Sequence, residues 1–321
     1  MDFIDNLIGY NPGEFSLDRP KYDQSTFFGR FMYFFGLAYP TSLFYTKSQA
    51  NEMRQILDDY KNNSLKRSYT NIKLWKASWV TESTFHPDTK EPIPILFRLS
   101  TYTLINLPIS IGMLLSKKTT FSITFWQVFN QTNNVGFNYC NRSINDPFTN
   151  SQLVASYFLA TISSVCVALW MDKQIVKYAG NSLILRTFGP ATALAIAGDL
   201  NLLAVRYREL YEGISVYDKD SHEIGKSKIA AWDGLTKTLT VRFGLQYPLC
   251  FVPVLLALSM KKIGYYPGGG IKKVLTEIFA TTVTGYFVAP ACMAYYPHMI
   301  YKDKLEPELN SNSGFWYNRG I

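Results

Sequence analysis

The stretch Gln152–Met171, QLVASYFLATISSVCVALWM, contains no charged residue. A helix needs roughly 20 apolar residues to cross the hydrocarbon core of a bilayer, so this stretch predicts a membrane-spanning helix. A buried helix of a soluble protein is the alternative interpretation, because an apolar run does not by itself reveal what surrounds it.

Four further apolar runs of comparable length lie before and after this stretch. They are Leu96–Leu115, Leu183–Ala204, Phe243–Met260 and Val274–Tyr296. Only 17% of the 321 residues are charged, against about 25% in an ordinary soluble domain. The sequence therefore predicts an all-α membrane protein with about five transmembrane helices.

These runs divide the chain into three parts. Residues 1–95 are predicted to form a polar, amphipathic helical region, residues 96–297 a transmembrane bundle that includes the loop 207–242, and residues 298–321 a C-terminal tail. In the first part, Ser48 is placed to begin an amphipathic helix. Trp75 and Trp79 suit either the bilayer interface or a small soluble core.

The segment 126–142, WQVFNQTNNVGFNYCNR, carries the same polar side chain at helical spacing. Asn130, Asn134, Asn138 and Asn141 are three or four residues apart, so they share one face of a helix. Asparagine is a poor helix former that offers both a donor and an acceptor, and such a stripe indicates a surface that binds something polar. The segment is predicted to be a short re-entrant or interfacial helix, because it is too polar to span a membrane independently.

The passage 84–94, TFHPDTKEPIP, contains three prolines that restrict the residues before them. His86, Pro87, Asp88 and Thr89 either form a gate that contacts a polar substrate or end one helix and cap the next. Both interpretations stay open on the sequence alone.

Prolines also interrupt three of the predicted spans, at Pro108, at Pro248 and Pro253, and at Pro290. A proline inside a spanning helix frees a backbone carbonyl that a substrate, a water or a neighbouring helix can use. Transport and simple kinked packing both account for such prolines.

Helix direction restricts which charged groups can meet. With five spans, Asp199 and Arg206 lie on the same side of the membrane as the asparagine stripe, while Arg98 lies on the opposite side with the His86 passage. A charge inside a membrane normally has a partner, so Asp199 is predicted to pair with Arg206 or Arg242.

The formal net charge is +8, but the basic residues form no stripe interleaved with aromatic residues, and a nucleic-acid partner is not predicted. Lys261, Lys262, Lys272 and Lys273 bracket the loop between the last two predicted spans. This pattern favours anionic lipid head groups such as those of cardiolipin.

Metal, cofactor and catalytic sites are not predicted. The three histidines are isolated, and the four cysteines form no CxxC pair. The sequence also lacks a phosphate-binding loop and a recognisable pair of nucleophile and base. Catalysis is therefore not expected of this chain.

Six blocks of sequence, taken together, resemble the sideroflexin family of mitochondrial inner-membrane proteins. They are DRPKYDQSTFFGR at 18–30, HPDT at 86–89, NQTNNVGFNYCNR at 130–142, RYREL at 206–210, GISVYDKDSHEIGKSKIAAWDG at 213–234 and LEPEL at 305–309. The resemblance implies a multi-pass helical protein of the mitochondrial inner membrane with an internal targeting signal. The chain departs from the family pattern where Gly198 and Leu203 stand in place of an asparagine and a proline, and where Asp199 is added.

The resemblance further implies transport of serine or a related small neutral amino acid for one-carbon metabolism, and the family has also been associated with iron. The amide side chains of the stripe are better suited to bind a zwitterion than to bind iron, because an iron site would require a cluster of histidines and carboxylates. The predicted substrate contacts are Asn130, Gln131, Asn134, Asn138, Asn141, Arg142, Asn201 and Arg206, with Arg142 or Arg206 neutralising the substrate carboxylate.

A second function from another class is a non-transporting structural subunit of a larger inner-membrane assembly, such as a respiratory complex. The aromatic segment Phe315–Tyr317 near the C-terminus suits contacts with proteins and lipids.

Overall fold

The protein is described by a computed structural model that covers residues 10, 13–17, 19–62, 69–86, 88–117, 119–141, 150–178, 182–219, 222–265, 270–307, 309 and 314–320. Its helices are α1 (Phe27–Ala38), α2 (Lys47–Lys61), α3 (Asn71–Thr84), α4 (Leu99–Leu115), α5 (Thr120–Asn141), α6 (Asn150–Tyr178), α7 (Leu183–Arg206), α8 (Glu209–Glu212), α9 (Lys228–Lys262) and α10 (Gly270–Met293). Its strands are β1 (Ile214–Tyr217), β2 (Glu223–Ser227), β3 (Met299–Lys302) and β4 (Phe315–Asn318). The chain is therefore predominantly helical, as predicted.

In the part of the chain that the structure describes, three helices combine the length and apolar composition needed to cross a bilayer. These helices are α6, α9 and α10. The predicted spans 96–115 and 183–204 form α4 and α7, which do not meet both conditions together. Helices α4, α9 and α10 continue through their internal prolines.

Six helices pack side by side in a closed ring, in the order α4, α5, α6, α7, α9 and α10, with α10 returning to α4. Helix α5 runs antiparallel to α4 over its whole length. Near its start, Ser122 donates to the hydroxyl of Ser116 just after α4, at 2.8 Å. At its end, the Asn141 amide donates to the carbonyl of Phe97 just before α4, also at 2.8 Å.

Helix α5 is therefore longer than the predicted segment 126–142. It has 22 residues, a length of about 33 Å, because residues 120–125 continue the helix toward the chain start. This helix adds a sixth passage to the five that the sequence predicted. With six alternating passages, Arg98 and the His86 passage lie at the same end of the ring as Arg206, and the prediction that they lie at opposite ends was wrong.

Small residues allow the helices of the ring to approach closely. A side chain at Gly112 of α4 would meet the ring of Trp126, and one at Gly136 of α5 would meet the ring of Phe97. In α7, alanines at 191, 193, 195 and 197 are almost completely buried, and this helix lies between α6 and α9. Close helix contact through small residues is the usual packing mode within membranes.

The N-terminal helices form a separate small core beside the ring. Helix α2 begins at Lys47, one residue before the predicted start, with a capping box made by Thr46 and Gln49. Trp75 of α3 is buried with Phe15 and Ile56, so the small soluble core, and not the bilayer interface, accounts for this tryptophan.

Helix α1 joins this N-terminal region to the ring. The aromatic side chain of Phe35 packs against that of Phe287 in α10, with their centroids 5.4 Å apart. Arg30 donates from its Nε to the carbonyl of Ala294, just beyond the end of α10, at 2.8 Å. A cation at the C-terminal end of a helix interacts favourably with the helix dipole.

A four-stranded antiparallel sheet, which the sequence did not predict, covers one end of the ring. Its strand order is β2-β1-β4-β3. Strands β1 and β2 come from the predicted loop 207–242, and β3 and β4 come from the predicted C-terminal tail. Phe315 and Tyr317 are buried in the core of this sheet, whereas Trp316 between them is half-buried.

Candidate functional site

The asparagine stripe occupies one face of α5, and this face includes a residue that sequence reasoning missed. Gln127 lies four residues before Gln131, which places both on the face that carries Asn134 and Asn138. The spacing in the sequence could have identified Gln127, because this residue extends the row of amides by one helical turn toward the start of α5.

Most amides of this face have unused hydrogen-bonding capacity. Gln127 is 7% exposed and Gln131 is 1% exposed, and the Oε1 atom of each has no hydrogen-bond partner. Among the described residues, the half-buried side chains of Asn130, Asn134 and Asn138 also make no hydrogen bond. A buried polar atom without a partner costs free energy of about 1 to 3 kcal/mol. This cost applies to the two glutamine oxygens, and it makes the face a candidate surface for a polar ligand.

Asn141 differs from the other members of the stripe. Its Nδ2 donates to the carbonyls of Phe97 and Phe137, both at 2.8 Å. These bonds fix the end of α5 against the start of α4, so the structure gives Asn141 a packing role. Arg142, the next predicted contact, lies outside the described residues.

Helix α7 carries two of the predicted polar groups on different faces. Asn201 is 4% exposed, with its Oδ1 unpartnered. Asp199 is half-buried, and its Oδ1 is also unpartnered. Residues two apart on a helix do not share a face, whereas Arg206, two turns from Asp199, does share the face of Asp199.

Arg206 is fully engaged by other groups. Its Nε and Nη2 donate to the two carboxylate oxygens of Glu209, at 2.8 and 2.6 Å. Its Nη1 donates to the carbonyl of Arg319, at 3.0 Å. Arg206 therefore holds the C-terminal segment in place, and it is not the partner of Asp199.

Four arginines gather where the ring meets the sheet: Arg30, Arg206, Arg242 and Arg319. Arg319 is 1% exposed, and it donates to the carbonyls of Pro297 and Met293. Burial and the nearby charges of the other three arginines lower the pKa of Arg319 to about 10, so it remains charged at neutral pH. This end of the ring therefore has an excess of positive charge.

Arg242 differs from the other three arginines, because its guanidinium makes no hydrogen bond or direct ion pair within the described part of the chain. It interacts electrostatically with Asp199 of α7 and with the hydroxyl of Tyr102 in α4. The prediction that Asp199 has Arg242 as its cation agrees with this arrangement, although the two groups are not in direct contact.

Tyr102 connects Arg242 with the amide face of α5. Its ring packs edge to face against Phe137, with centroids 5.1 Å apart, and Phe137 lies three residues after Asn134 and four before Asn141 on α5. Helices α4 and α9 are not neighbours in the ring, so the interaction between Tyr102 and Arg242 crosses the inside of the ring. Sequence reasoning missed Tyr102, since nothing in the sequence shows which helices face each other.

The His86 passage forms a compact turn with its own hydrogen bonds. The Nδ1 of His86 accepts from the backbone N–H groups of Asp88 and Thr89, at 3.1 and 3.3 Å. Lys90 adopts a positive φ of 59°, and its carbonyl accepts from Arg54 at 2.6 Å. The passage is thus a turn stabilised by its own hydrogen bonds, and it caps neither helix: Phe85 is the C-cap of α3, and Arg98 is the N-cap of α4. The gate stays a prediction, and Pro87 lies outside the described residues.

Two surface cavities lie away from these groups. One of about 490 Å³ is lined by residues of the sheet and its turn, among them Tyr217 and Trp316. The other, of about 300 Å³, lies beside α2 and α3. Among the described residues, no three His, Cys, Asp or Glu side chains come together as metal ligands would.

Comparison with known proteins identifies relatives over nearly the whole length of the chain. The family Sideroflexins matches residues 16–321. Sideroflexin-5 of Homo sapiens is 33% identical over 316 residues, which are 96% of this chain and 93% of the relative. A sideroflexin of Saccharomyces cerevisiae is 31% identical over 97% of this chain and 98% of its own length, and sideroflexin-1 of Homo sapiens is 30% identical over 91% and 89%. No solved structure matches.

Proposed function

Because this chain belongs to the sideroflexins, a family of carrier-like transporters, we propose that it transports a small neutral amino acid such as serine across the mitochondrial inner membrane. In that location the transported amino acid would supply one-carbon metabolism. The single observation that carries the proposal is the row of unpartnered amides along α5.

The chemistry of this row suits a neutral amino acid. Such a substrate has a carboxylate that accepts hydrogen bonds, an ammonium group that donates them and, in serine, a hydroxyl group that does both. Each amide side chain offers two N–H donors and one acceptor oxygen. A ligand that pairs with Gln131 would remove the cost of leaving its buried oxygen unsatisfied, and Asn134 and Asn138 on the same face could bond to the same ligand.

Uptake into proteoliposomes tests this function. The purified protein is reconstituted into liposomes, and uptake of radiolabelled serine is compared for the wild type and the double variant Asn134→Ala, Asn138→Ala. Loss of two hydrogen bonds of about 1 kcal/mol each lowers affinity by roughly tenfold or more. We expect uptake at low serine concentration to fall by at least that factor.

Asn51→Ala provides the matched control, because Asn51 is an exposed asparagine of α2. Its uptake should equal that of the wild type. Equal uptake by the double variant and the control would show that the amide row does not bind the substrate.

The lysines at the other end of the ring support a proposal for lipid partners. Lys261 and Lys262 end α9, and Lys272 and Lys273 lie in the first turn of α10. One of them, Lys273, is 3.9 Å from Glu277. We propose that this cluster binds anionic lipid head groups, such as those of cardiolipin.

A structural role in a respiratory assembly receives less support. Within the aromatic segment that favoured it, Phe315 and Tyr317 are 3% and 0% exposed and pack within the sheet. Only Trp316 of this segment is half-buried and lines a surface cavity, so the segment offers little surface to a partner.

A further inference from the structure

We propose that Arg242 binds the carboxylate of the transported amino acid and that Asp199 binds its ammonium group, an assignment that rests on the proposed transport function. The substrate would then lie inside the ring between α7 and α9, close to Tyr102. This assignment differs from the sequence prediction, in which Arg142 or Arg206 neutralises the carboxylate.

The hydrogen bonds of the four clustered arginines identify Arg242 as the one available for a ligand within the described part of the chain. Arg30 donates to the carbonyls of Gln24, Ser25 and Ala294. Arg206 and Arg319 use their donors on Glu209 and on backbone carbonyls. The guanidinium of Arg242, in contrast, donates none of its five N–H groups to any residue that the structure describes.

The packing of α7 against α9 brings Asp199 and Arg242 to the same level. Thr192 of α7 contacts Tyr247 of α9 through their hydroxyl groups, 3.3 Å apart, and the two helices run in opposite directions. Asp199 lies seven residues after Thr192, and Arg242 lies five residues before Tyr247. At about 1.5 Å per residue, Asp199 lies about 10 Å and Arg242 about 8 Å from the contact between Thr192 and Tyr247, both toward the same end of the ring.

The two charges interact without touching. Asp199 and Arg242 feel each other electrostatically, yet no direct ion pair joins them among the described residues. One oxygen of Asp199 is buried without a hydrogen bond. A zwitterion between them would offer its carboxylate to Arg242 and its ammonium group to Asp199.

The alternative explanation is that Asp199 only balances the excess positive charge of the arginine cluster. Under both explanations Asp199→Asn leaves the arginine cluster with one neutralising charge fewer, so stability does not distinguish between them. They differ in what they predict for substrate analogues that lack one charged group, since charge balance alone gives no reason for the specificity to change.

The experiment therefore measures serine uptake by proteoliposomes in competition with two analogues. Glycerate has a hydroxyl group in place of the ammonium group, and ethanolamine lacks the carboxylate. For the wild type we expect both analogues to compete at least tenfold less well than unlabelled serine. For Arg242→Gln we expect the KM for serine to rise at least tenfold and ethanolamine to compete as well as serine.

For Asp199→Asn we expect the complementary result, with glycerate competing as well as serine. Arg242→Lys keeps the charge but loses the two-pronged geometry of the guanidinium, so its KM should lie between those of the wild type and Arg242→Gln. Arg208→Gln is the matched control, because Arg208 forms a surface ion pair with Glu212 at 2.6 Å, and it should behave as the wild type.

The outcomes separate this assignment from the proposed function. If the wild type takes up serine and the order of competition is unchanged in Arg242→Gln and Asp199→Asn, transport stands and the assignment is wrong. If the wild type takes up no neutral amino acid, the proposed function is wrong and the assignment fails with it.

Discussion

At the scale of single residues, Asp233 shows how one carboxylate joins distant parts of the chain. This residue lies near the start of α9, before the apolar part of that helix at 243–260. It accepts hydrogen bonds from Lys237 one turn away, from Lys302 in β3 at 2.8 Å and from Tyr317 in β4. Asp233 therefore ties strands β3 and β4 to the first turns of α9.

The pKa of Asp233 leads to a prediction about pH. Burial alone would raise this pKa, but the hydrogen bonds from Lys237, Lys302 and Tyr317 outweigh burial and lower it from 3.8 to about 2. A lowered pKa in the folded state stabilises the fold above the pKa of the unfolded state, and the contribution disappears as the pH falls toward the lower value. The stabilisation should be complete above about pH 5 and lost between about pH 4 and 2.

We expect Asp233→Asn to destabilise the protein at neutral pH by about 1.5 to 3 kcal/mol, the range for hydrogen bonds to a charged group. Thermal melting in detergent should show a lower melting temperature than for the wild type, with the difference shrinking below pH 4. Asp58→Asn removes an exposed carboxylate 3.8 Å from Arg54 and serves as the control. A difference that stays constant from pH 7 to pH 2 would contradict the ionic explanation.

Helical spacing in the sequence identifies the residues of the candidate site that share one helix, but not the contacts between helices. The spacing of Asn130, Asn134 and Asn138 is enough to define a common face, because all three belong to α5. Tyr102 and Arg242 come from two helices that are not neighbours in the ring. Their approach depends on the order of helices around the ring, which helical periodicity does not encode.

At the scale of elements, the close packing of α4 against α5 depends on glycine. A Cβ atom at Gly112 would meet the indole of Trp126, whereas a Cβ atom at Gly198 of α7 or Gly244 of α9 would meet nothing within 4 Å. Alanine is otherwise favoured over glycine inside a helix by about 1 kcal/mol. The same substitution should therefore have opposite effects at these positions.

We expect Gly112→Ala to lower the melting temperature in detergent, because Trp126 must move or α5 must shift away from α4. Overpacking of this kind costs about 1 to 3 kcal/mol. Gly198→Ala and Gly244→Ala should leave the melting temperature unchanged or raise it. If all three variants behave alike, the contact between Gly112 and Trp126 does not limit the approach of these helices.

The length of α5 escaped prediction for a physical reason. Its amides made the segment look too polar to cross the bundle, and hydropathy measures composition without regard to neighbours. Inside a ring of helices, amides can face the interior while residues such as Phe125 and Phe129, each about half exposed, lie on the outside. Polar side chains are tolerated at membrane depth when protein or a cavity surrounds them.

At the scale of the whole molecule, an even number of passages fixes where the ends of the bundle lie. Five passages would place the N-terminal helices and the C-terminal sheet on opposite sides of a membrane. The six passages of the ring place them at the same end, where Arg30 of α1 contacts the end of α10. The loop between α9 and α10 lies at the other end.

Labelling with a membrane-impermeant maleimide tests this topology. Single cysteines are introduced as Lys61→Cys, Lys304→Cys and Ile263→Cys, all at exposed positions, in a protein whose four native cysteines are replaced by serine. In sealed vesicles we expect positions 61 and 304 to react from the same side and position 263 from the opposite side. Reaction of positions 61 and 304 from different sides would contradict a sixth passage.

The two halves of the sheet flank the last pair of long helices in the chain. Strands β1 and β2 precede α9, whereas β3 and β4 follow α10, and β1 reaches β4 through Tyr217 and Trp316. During synthesis, the second half of the sheet emerges only after both helices have been made, and pairing between such distant segments forms late. In a protein molecule in which either helix failed to insert, β1 would lack its neighbour β4. The exposed edge of β1 would make that molecule prone to aggregation and proteolysis.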